Sequence, residues 1–213
     1  MTHDEIKATS GKLILAGSET SATLLSGAVY YLLKNPNWMR IVQEELRTNF
    51  TTETQINFAS VSQLKIMNAI IQETFRVYPP VAGAMPRVSP EGGAMVAGTC
   101  IPPGTKIGVP QYCAYRSSRH FRDPEKYAPE RFLGDPTYAN DKRAIIQPFS
   151  VGPRNCLGQS LAWAEIRAIL ARLMWNFDME LLEANRDWEK QRVFVLWDKP
   201  SLMVKLKARQ PAT

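Results

Sequence analysis

The apolar residues of this chain recur with the period of an α-helix, about 3.6 residues, over four long stretches. The first stretch has Thr2 or Asp4 as candidate N-cap residues. It ends before Asn35-Pro36, because a proline disfavours the helical conformation of the residue before it. The pattern therefore predicts helices over residues 4–33, 37–50, 61–78 and 159–175.

Short strand-like segments fill much of the remaining chain. Residues 89–110 are rich in Gly, Pro and β-branched residues, with turn signals at residues 92–93 and 103–104. Three further pieces near the C-terminus have the composition of strands, namely residues 176–182, 192–197 and 202–207. We therefore predict a mainly α-helical fold with small β-sheets, of the α+β class, in which residues 1–213 form one large domain or part of a bigger one.

The first predicted helix is apolar on nearly every face. Its residues 13–33 are long enough to span a bilayer, but Glu19 lies near the midpoint, where an ionised acid costs roughly 2.5 kcal/mol or more. A helix buried inside a large soluble domain is the better interpretation. In this chain alone, we expect an exposed apolar patch that comprises Leu13, Ile14, Leu24, Leu25, Val29 and Leu32.

The composition does not indicate a nucleic-acid partner. Lys and Arg number 26 against 20 acidic residues, for a net charge of +6. The basic residues are scattered, and no aromatic residues interleave with them as a single-strand binder requires. Three cysteines, an odd number in a chain without an evident secretory signal peptide, indicate free thiols and a reducing compartment.

One cysteine is distinguished by its position. Cys156 lies in a loop bounded by Gly152 and Gly158, directly before the fourth predicted helix. Gly152 permits a tight turn, and Gly158 allows the backbone to approach a flat group closely. The free N–H groups and the dipole of a helix N-terminus favour a thiolate, and Arg154 adds a positive charge two residues earlier. Cys156 is therefore a candidate metal ligand or nucleophile.

The residues alone leave several interpretations of Cys156 open. A nucleophile needs a general base, and the chain offers only His3 and His120 in ordinary contexts. A zinc site needs about four clustered ligands, but Cys100 and Cys113 lack the paired spacing. A single thiolate suits the axial position of a haem iron. A buried structural cysteine is the most frequent role of an isolated cysteine, and spacing alone does not exclude it.

Phe149, Gly152, Arg154, Cys156 and Gly158 together resemble the haem-binding signature of the cytochrome P-450 family, the haem-thiolate monooxygenases. The match is complete at all five positions. By this resemblance, Cys156 is the axial ligand of the haem iron. Phe149 is then expected to pack against the sulfur and the haem edge, and Arg154 to pair with a haem propionate.

Residues 16–20, Ala-Gly-Ser-Glu-Thr, look like the oxygen-binding groove in the long central helix of the same family. Ala16 and Thr20 stand four apart and share a helix face, while Gly17 removes bulk beside them. By resemblance, Glu19 and Thr20 deliver protons through water to iron-bound dioxygen. The residues alone also fit a Ser/Thr-rich helix interior in which the acid faces a buried partner.

The segment Glu73-Thr-Phe-Arg76 matches the E-x-x-R motif of the family, and Pro129-Glu-Arg-Phe132 matches its downstream partner. On the residues alone, Glu73 and Arg76 are three apart on a predicted helix and close enough to pair. The resemblance adds Arg131 and implies a buried structural triad that holds the family's meander loop on the thiolate side of the haem.

Arg87 matches the second propionate-binding arginine of the family. Tyr115 stands where many members have a histidine that makes a minor propionate contact. The segment that resembles the lining of the substrate cavity has small apolar residues, which indicate a hydrophobic substrate; they are Val81, Ala82, Ala84 and Met85.

The resemblance implies an enzyme, a haem-dependent monooxygenase that inserts one atom of dioxygen into a small hydrophobic organic substrate, with electrons from NADPH through a reductase. Residues 149–165 look most like fungal microsomal members, which implies secondary metabolism at the cytosolic face of the endoplasmic reticulum membrane. The match begins at the central helix, so the N-terminal half of the family fold, with its membrane anchor, is expected to be absent from this chain. Two alternatives remain: a haem-thiolate isomerase or dehydratase that does not use dioxygen, and a non-catalytic fragment.

Overall fold

The computed structural model describes residues 1–209 of the chain, which form α-helices, short 3-10 turns and small antiparallel sheets. The helices are α1 (His3–Lys34), α2 (Pro36–Asn49), α3 (Phe58–Val61), α4 (Lys65–Val77), α5 (Gln111–Tyr115) and α6 (Gln159–Asn176). The strands are β1 (Arg87–Val88), β2 (Ala94–Val96), β3 (Thr99–Ile101), β4 (Lys106–Ile107), β5 (Phe177–Leu181), β6 (Arg192–Val193), β7 (Trp197–Asp198) and β8 (Val204–Ala208). The predicted α+β class is confirmed. Within residues 1–209, no helix combines the length and the apolar character needed to cross a membrane.

The ends of α1 are set by a capping box and by a proline. The hydroxyl of Thr2 accepts from the backbone N–H of Glu5 at 3.2 Å, and the Glu5 carboxylate accepts from the backbone N–H of Thr2 at 2.7 Å. Asn35 caps the other end, and Pro36 starts α2 at its first helical position. The helix predicted over residues 4–33 is therefore confirmed to within one residue at each end.

The third predicted helix begins later than the sequence indicates. Residues 58–61 form the separate helix α3, and α4 begins only at Lys65. The carboxylate of Glu45, on α2, accepts from the backbone N–H of Ile66 at 2.7 Å and of Met67 at 2.9 Å. These bonds satisfy free N–H groups at the start of α4. The predicted start at residue 61 is wrong because the cap comes from another helix, which no local pattern contains.

Each small sheet is a pair of antiparallel strands. The strands β2 and β3 form a hairpin whose turn, at Ala97 and Gly98, is left-handed with φ of 48° and 81°. The sequence does not indicate this turn, since alanine is not a typical turn residue. The strands β1 and β4 pair around the hairpin, and β6 pairs with β7. The strand β5, which follows α6, pairs with β8, with Met179 opposite Leu206.

The main hydrophobic core lies between α1, α2, α4 and α6. The second half of α1 contributes Leu24, Val29 and Leu32, all of them buried. In its first half, by contrast, Leu13 and Ile14 are 60% and 71% exposed. The expected exposed patch is therefore wrong for the second half of α1, because the other helices of this chain cover it.

A second, aromatic core joins α1 and α4 to the C-terminal strands. Tyr78, just after α4, stacks on Trp197 of β7 with ring centroids 4.6 Å apart. The indole N–H of Trp197 donates to the carbonyl oxygen of Pro79 at 2.8 Å. Tyr30 of α1 packs against Trp188 at 5.4 Å. The C-terminal segment is therefore fixed against α1 and the end of α4, although it is far from both in sequence.

Gly27 of α1 packs directly against Tyr78, so we expect Gly27→Ala to destabilise the fold. An added Cβ would lie 2.5 Å from Cδ1 of Tyr78, whose ring is held by its stack on Trp197. The free energy of unfolding, measured in urea, should fall by about 1–3 kcal/mol. Gly11→Ala is the matched control, because its Cβ meets open space in the same helix. It should raise stability by up to about 1 kcal/mol. Equal stability of the two variants would contradict this packing.

Candidate functional site

The loop that contains Cys156 is closed by a backbone hydrogen bond. The N–H of Cys156 donates to the carbonyl oxygen of Phe149 at 2.8 Å. Between them, Ser150 and Gly152 take left-handed conformations, with φ of 60° and 75°, which glycine adopts without a Cβ penalty. The Cys156 side chain is exposed, three residues before the start of α6. The loop therefore presents the sulfur at the surface beside a helix N-terminus.

The surroundings of Cys156 are open and apolar. Gly158 is the N-cap residue of α6, and no side chain of residues 1–209 caps the helix, so N–H groups of its first turn have no side-chain partner in this part of the chain. Three apolar side chains close to Cys156 in sequence are largely exposed, Leu157 at 93%, Val151 at 63% and Leu161 at 61%. Large exposed apolar side chains that occur together are typical of a surface that a ligand or another chain covers.

Phe149 anchors the loop to the core. Its ring lies edge-on to the ring of Phe75 of α4, with centroids 5.4 Å apart, and 6.2 Å from Trp163 of α6. Phe75 and Trp163 also meet at 5.5 Å. These three rings connect the loop to two helices of the main core, so the position of the sulfur follows from the packing of α4 against α6.

Arg154 and Arg87 are exposed cations. The guanidinium group of Arg87 donates to the carbonyl oxygens of Met85 at 3.3 Å and Pro86 at 3.2 Å. Within residues 1–209, neither arginine forms an ion pair with an acidic side chain. Both guanidinium groups are therefore available to an anionic ligand.

The central segment of α1 has an open surface at Ala16 and Gly17, both exposed. A Cβ added at Gly17 would meet no atom within 4 Å. The hydroxyl of Thr20 donates to the carbonyl oxygen of Ala16 at 2.7 Å, which confirms that these two residues share one face. The hydroxyl is thus held close to the helix backbone rather than projecting freely.

Within residues 1–209, the side chains of Glu19 and Thr20 form no hydrogen bond with each other. The carboxylate of Glu19 instead pairs with the ammonium group of Lys199, from the segment after β7. Lys199 also donates to the hydroxyl of Thr23 at 2.8 Å. This arrangement corresponds to the alternative in which the acid of α1 faces a partly buried partner.

Glu73 and its two arginines lie together in the interior, with side chains 0% exposed. Arg76 makes a two-pronged contact with the Glu73 carboxylate, through Nε at 2.8 Å and Nη2 at 2.7 Å. Arg131 approaches the same carboxylate at 3.4 Å, and the backbone N–H of Ala128 donates to it at 2.8 Å. Burial raises the pKa of Glu73, and the hydrogen bond and charge of Arg76 oppose this.

Asp141 is a fourth member of this buried cluster, and no sequence motif indicates it. Its carboxylate meets Nη1 of Arg131 at 2.6 Å, and its side chain is 2% exposed. It also accepts from the backbone N–H of Arg122 at 2.8 Å. The cluster of Glu73, Arg76, Arg131 and Asp141 therefore contains two cations and two carboxylates, so no buried charge is left without an opposite partner.

Arg76 also binds the backbone at the end of α5 and in the irregular segment that leads to the Cys156 loop. Arg76 donates to the carbonyl oxygens of Tyr115, Pro124 and Lys126 at 2.6–3.0 Å. The hydroxyl of Tyr115 accepts from the backbone N–H of Gln147 at 2.7 Å, two residues before Phe149. Burial raises the pKa of Tyr115 to about 12, so its phenol stays protonated at neutral pH. Tyr115 therefore supports the segment that leads into the loop.

Comparison with known sequences decides the family. The sequence profile described as cytochrome P-450 matches residues 1–206. The chain belongs to the cytochrome P-450 family. The resemblance stated from the sequence motifs, and the enzyme family that it implies, are thereby confirmed.

Several fungal cytochrome P-450 proteins are similar to almost the whole chain. The monooxygenase aclL of Aspergillus oryzae is 49% identical over 208 residues, which is 97% of this chain and 42% of the relative. The monooxygenase astA of Talaromyces wortmannii is 46% identical over 209 residues, 98% of this chain and 42% of the relative. Averantin hydroxylase of Dothistroma septosporum is 47% identical over 213 residues, 98% of this chain and 41% of the relative. The chain spans about two fifths of the length of these curated relatives.

The residues around Cys156 fit the haem that a cytochrome P-450 requires. Residues 1–209 contain no group of three or more His, Cys, Asp or Glu side chains that could hold a metal, so a metal bound at Cys156 would need most of its other ligands from a bound group. Haem needs only one axial thiolate, since the porphyrin supplies the other ligands. The exposed apolar side chains suit a flat apolar group, and Arg154 and Arg87 suit its propionates.

Sequence reasoning missed the partners that come from distant parts of the chain. Asp141 and Lys199 belong to no sequence motif. Phe194 and Val195 lie in the strand-like segment 192–197 and line a cavity together with Met85. The rule that a buried charge needs a partner indicates a second carboxylate near two buried arginines, but it does not identify Asp141. Ala82, expected at the cavity surface, is buried at 2% exposure.

We expect Asp141→Asn to destabilise the fold strongly, because it leaves Arg131 with an excess of buried positive charge. The free energy of unfolding in urea should fall by about 3–5 kcal/mol. Glu44→Gln is a matched control, since it removes a carboxylate from the exposed Arg40–Glu44 pair of α2. Its effect should stay below about 0.5 kcal/mol. A similar small loss for both variants would show that the Asp141 carboxylate does not balance the cluster.

Proposed function

We propose that this chain supplies the thiolate-ligand side and the central helix of a haem-dependent monooxygenase, which inserts one atom of dioxygen into a small hydrophobic organic substrate. Electrons come from NADPH through a reductase. The observation that supports this most is the exposed Cys156, held at the start of α6 in a closed loop with uncovered apolar side chains next to it. The names of the fungal relatives, a monooxygenase and a hydroxylase, support an oxidation reaction in fungal secondary metabolism. The resemblance to microsomal members alone suggests the endoplasmic reticulum membrane as the place of the full-length protein.

Each residue around the haem has a separate task. The sulfur of Cys156 would hold the iron, and Phe149 keeps the loop packed against α4 and α6. Arg154 and Arg87 would bind the propionates, since both are exposed and neither has an acidic partner within residues 1–209. When bound, a thiolate-ligated haem activates dioxygen and transfers one oxygen atom.

The central segment of α1 offers room for a small ligand and two side chains that handle protons. Ala16 and Gly17 leave room above the helix for a small ligand. Glu19 exchanges protons with water, and the hydroxyl of Thr20, bonded to the carbonyl oxygen of Ala16, keeps its lone pairs free to accept a hydrogen bond. Both groups act as proton-handling residues in this proposal.

A cavity of about 320 Å³ supports the choice of a small hydrophobic substrate. It is lined by Met85, Phe194, Val195 and Arg87, together with other residues that are small and apolar. One relative is named for the hydroxylation of averantin. Averantin is therefore a reasonable first probe.

Haem binding by Cys156 is testable by spectroscopy on the complete protein. We expect the complete protein, reduced and exposed to carbon monoxide, to show the red-shifted Soret band of a thiolate-ligated ferrous carbonyl haem, whereas the chain alone, with its exposed apolar side chains, should aggregate or bind haem poorly. Cys156→Ser should lose this band, because a neutral hydroxyl cannot replace the thiolate. Cys100→Ser should keep it, since Cys100 is an exposed cysteine on β3. A thiolate spectrum that survives Cys156→Ser would contradict the proposed ligand.

Turnover separates the proposed reaction from an isomerase or a dehydratase. We expect the complete protein, with a reductase, NADPH and averantin, to form a product that contains one additional oxygen atom from dioxygen, detected by mass spectrometry with labelled dioxygen. Without NADPH or without reductase, no product should form. A rearranged or dehydrated product that appears in the absence of both would favour the isomerase or dehydratase.

A further inference from the structure

The ammonium group of Lys199 binds two side chains of α1 that lie one turn apart. It pairs with Oε1 of Glu19 and donates to the hydroxyl oxygen of Thr23 at 2.8 Å. Thr23 is fully buried, and its own hydroxyl proton goes to the carbonyl oxygen of Glu19 at 2.7 Å. Its lone pairs are therefore free to accept from Lys199. The side chains of Lys199 and Glu19 are only 18% and 36% exposed, so this pair is less hydrated than an ordinary surface ion pair.

The fold holds the backbone of Lys199 from both sides. Two residues before it, the indole N–H of Trp197 donates to the carbonyl oxygen of Pro79 at 2.8 Å. One residue after it, the carbonyl oxygen of Pro200 accepts from the indole N–H of Trp188 at 2.9 Å. The backbone around Lys199 is therefore held in place by these contacts, which reduces the conformational entropy lost when its side chain pairs with Glu19.

The pair leaves the two carboxylate oxygens of Glu19 in different situations. Oε1 is engaged by Lys199, whereas Oε2 has no hydrogen-bond partner within residues 1–209. The side chain is still 36% exposed, so water can reach it. Because Oε1 is bound and Oε2 is free, Oε2 is the atom of Glu19 that can exchange a proton with water.

We propose that Lys199 is a positioning residue that orients the Glu19 carboxylate for proton delivery at the centre of α1. Lys199 itself transfers no proton. A proton passes from water to Oε2 of Glu19 and onward through water, while the ammonium group keeps Oε1 in place. This inference rests on the proposed monooxygenase function, because it assigns Lys199 to the same site.

The first test measures the pair without haem. Thermal unfolding of the chain is compared for wild type, Glu19→Gln, Lys199→Met and the double variant. We expect each single variant to lower the unfolding midpoint and the double variant to lower it by less than the sum, because the two residues interact directly. Fully additive shifts would show that the pair does not form, and this would overturn the proposal.

The second test measures how NADPH is used by the complete protein with a reductase and averantin. We expect Lys199→Met to reduce the product formed per NADPH by about tenfold and to increase the hydrogen peroxide formed correspondingly. This loss is smaller than the ~100-fold effect of removing a group that transfers the proton itself. Lys199→Arg should restore most of the coupling, that is, the product formed per NADPH, since a guanidinium group can bind both the carboxylate and the hydroxyl. Lys205→Met is the control, because Lys205 forms an exposed pair with Glu180.

The Glu19→Gln background separates a positioning role from a structural one. There, Lys199→Met should cause no further loss of coupling, since the carboxylate that it orients is already gone. An equal loss in both backgrounds, or no loss in the wild-type background, would overturn the positioning role while the monooxygenase function stands. A wild-type protein that binds haem but forms no oxygenated product from any offered substrate would overturn the proposed function and the role of Lys199 with it.

Discussion

The buried cluster of Glu73, Arg76, Arg131 and Asp141 is the constraint on which the candidate site depends. A charge in the interior is stable only when its partners are complete, and here two guanidinium groups meet two carboxylates. Other guanidinium N–H groups bind backbone carbonyls at the end of α5 and in the irregular segment after it. Because that segment has little regular structure of its own, the cluster holds it in place where helix or sheet bonds do not.

The order imposed by the cluster extends to the Cys156 loop. The phenol of Tyr115 binds the backbone N–H of Gln147, and Phe149, two residues later, packs against the rings of Phe75 and Trp163. A thiolate ligand has to be placed accurately, and a loop on its own is too mobile for that. In this chain, the accuracy comes from α4, which contributes both to the charged cluster and to the aromatic contacts.

The helix α1 links two different environments. Its second half is part of the main core, whereas its first half exposes Leu13 and Ile14. The segment with Ala16, Gly17 and Glu19 lies at the transition between them, where a ligand has access and the helix is still held. The C-terminal segment meets α1 at this transition through Lys199, so the described part of the chain has its first and last thirds in contact at the candidate site.

The sequence by itself determined the helices with strong apolar periodicity, the α+β class, the family, and the identity of the motif residues such as Cys156, Glu73 and Arg76. These follow from local periodicity and from short motifs, which need no knowledge of distant residues. Only the tertiary structure decided that Glu45 caps α4, that Asp141 balances Arg131, and that Lys199 rather than Thr20 contacts the Glu19 carboxylate. The physical reason is that a charged group selects its partner by distance in space, and no local pattern along the chain encodes that distance.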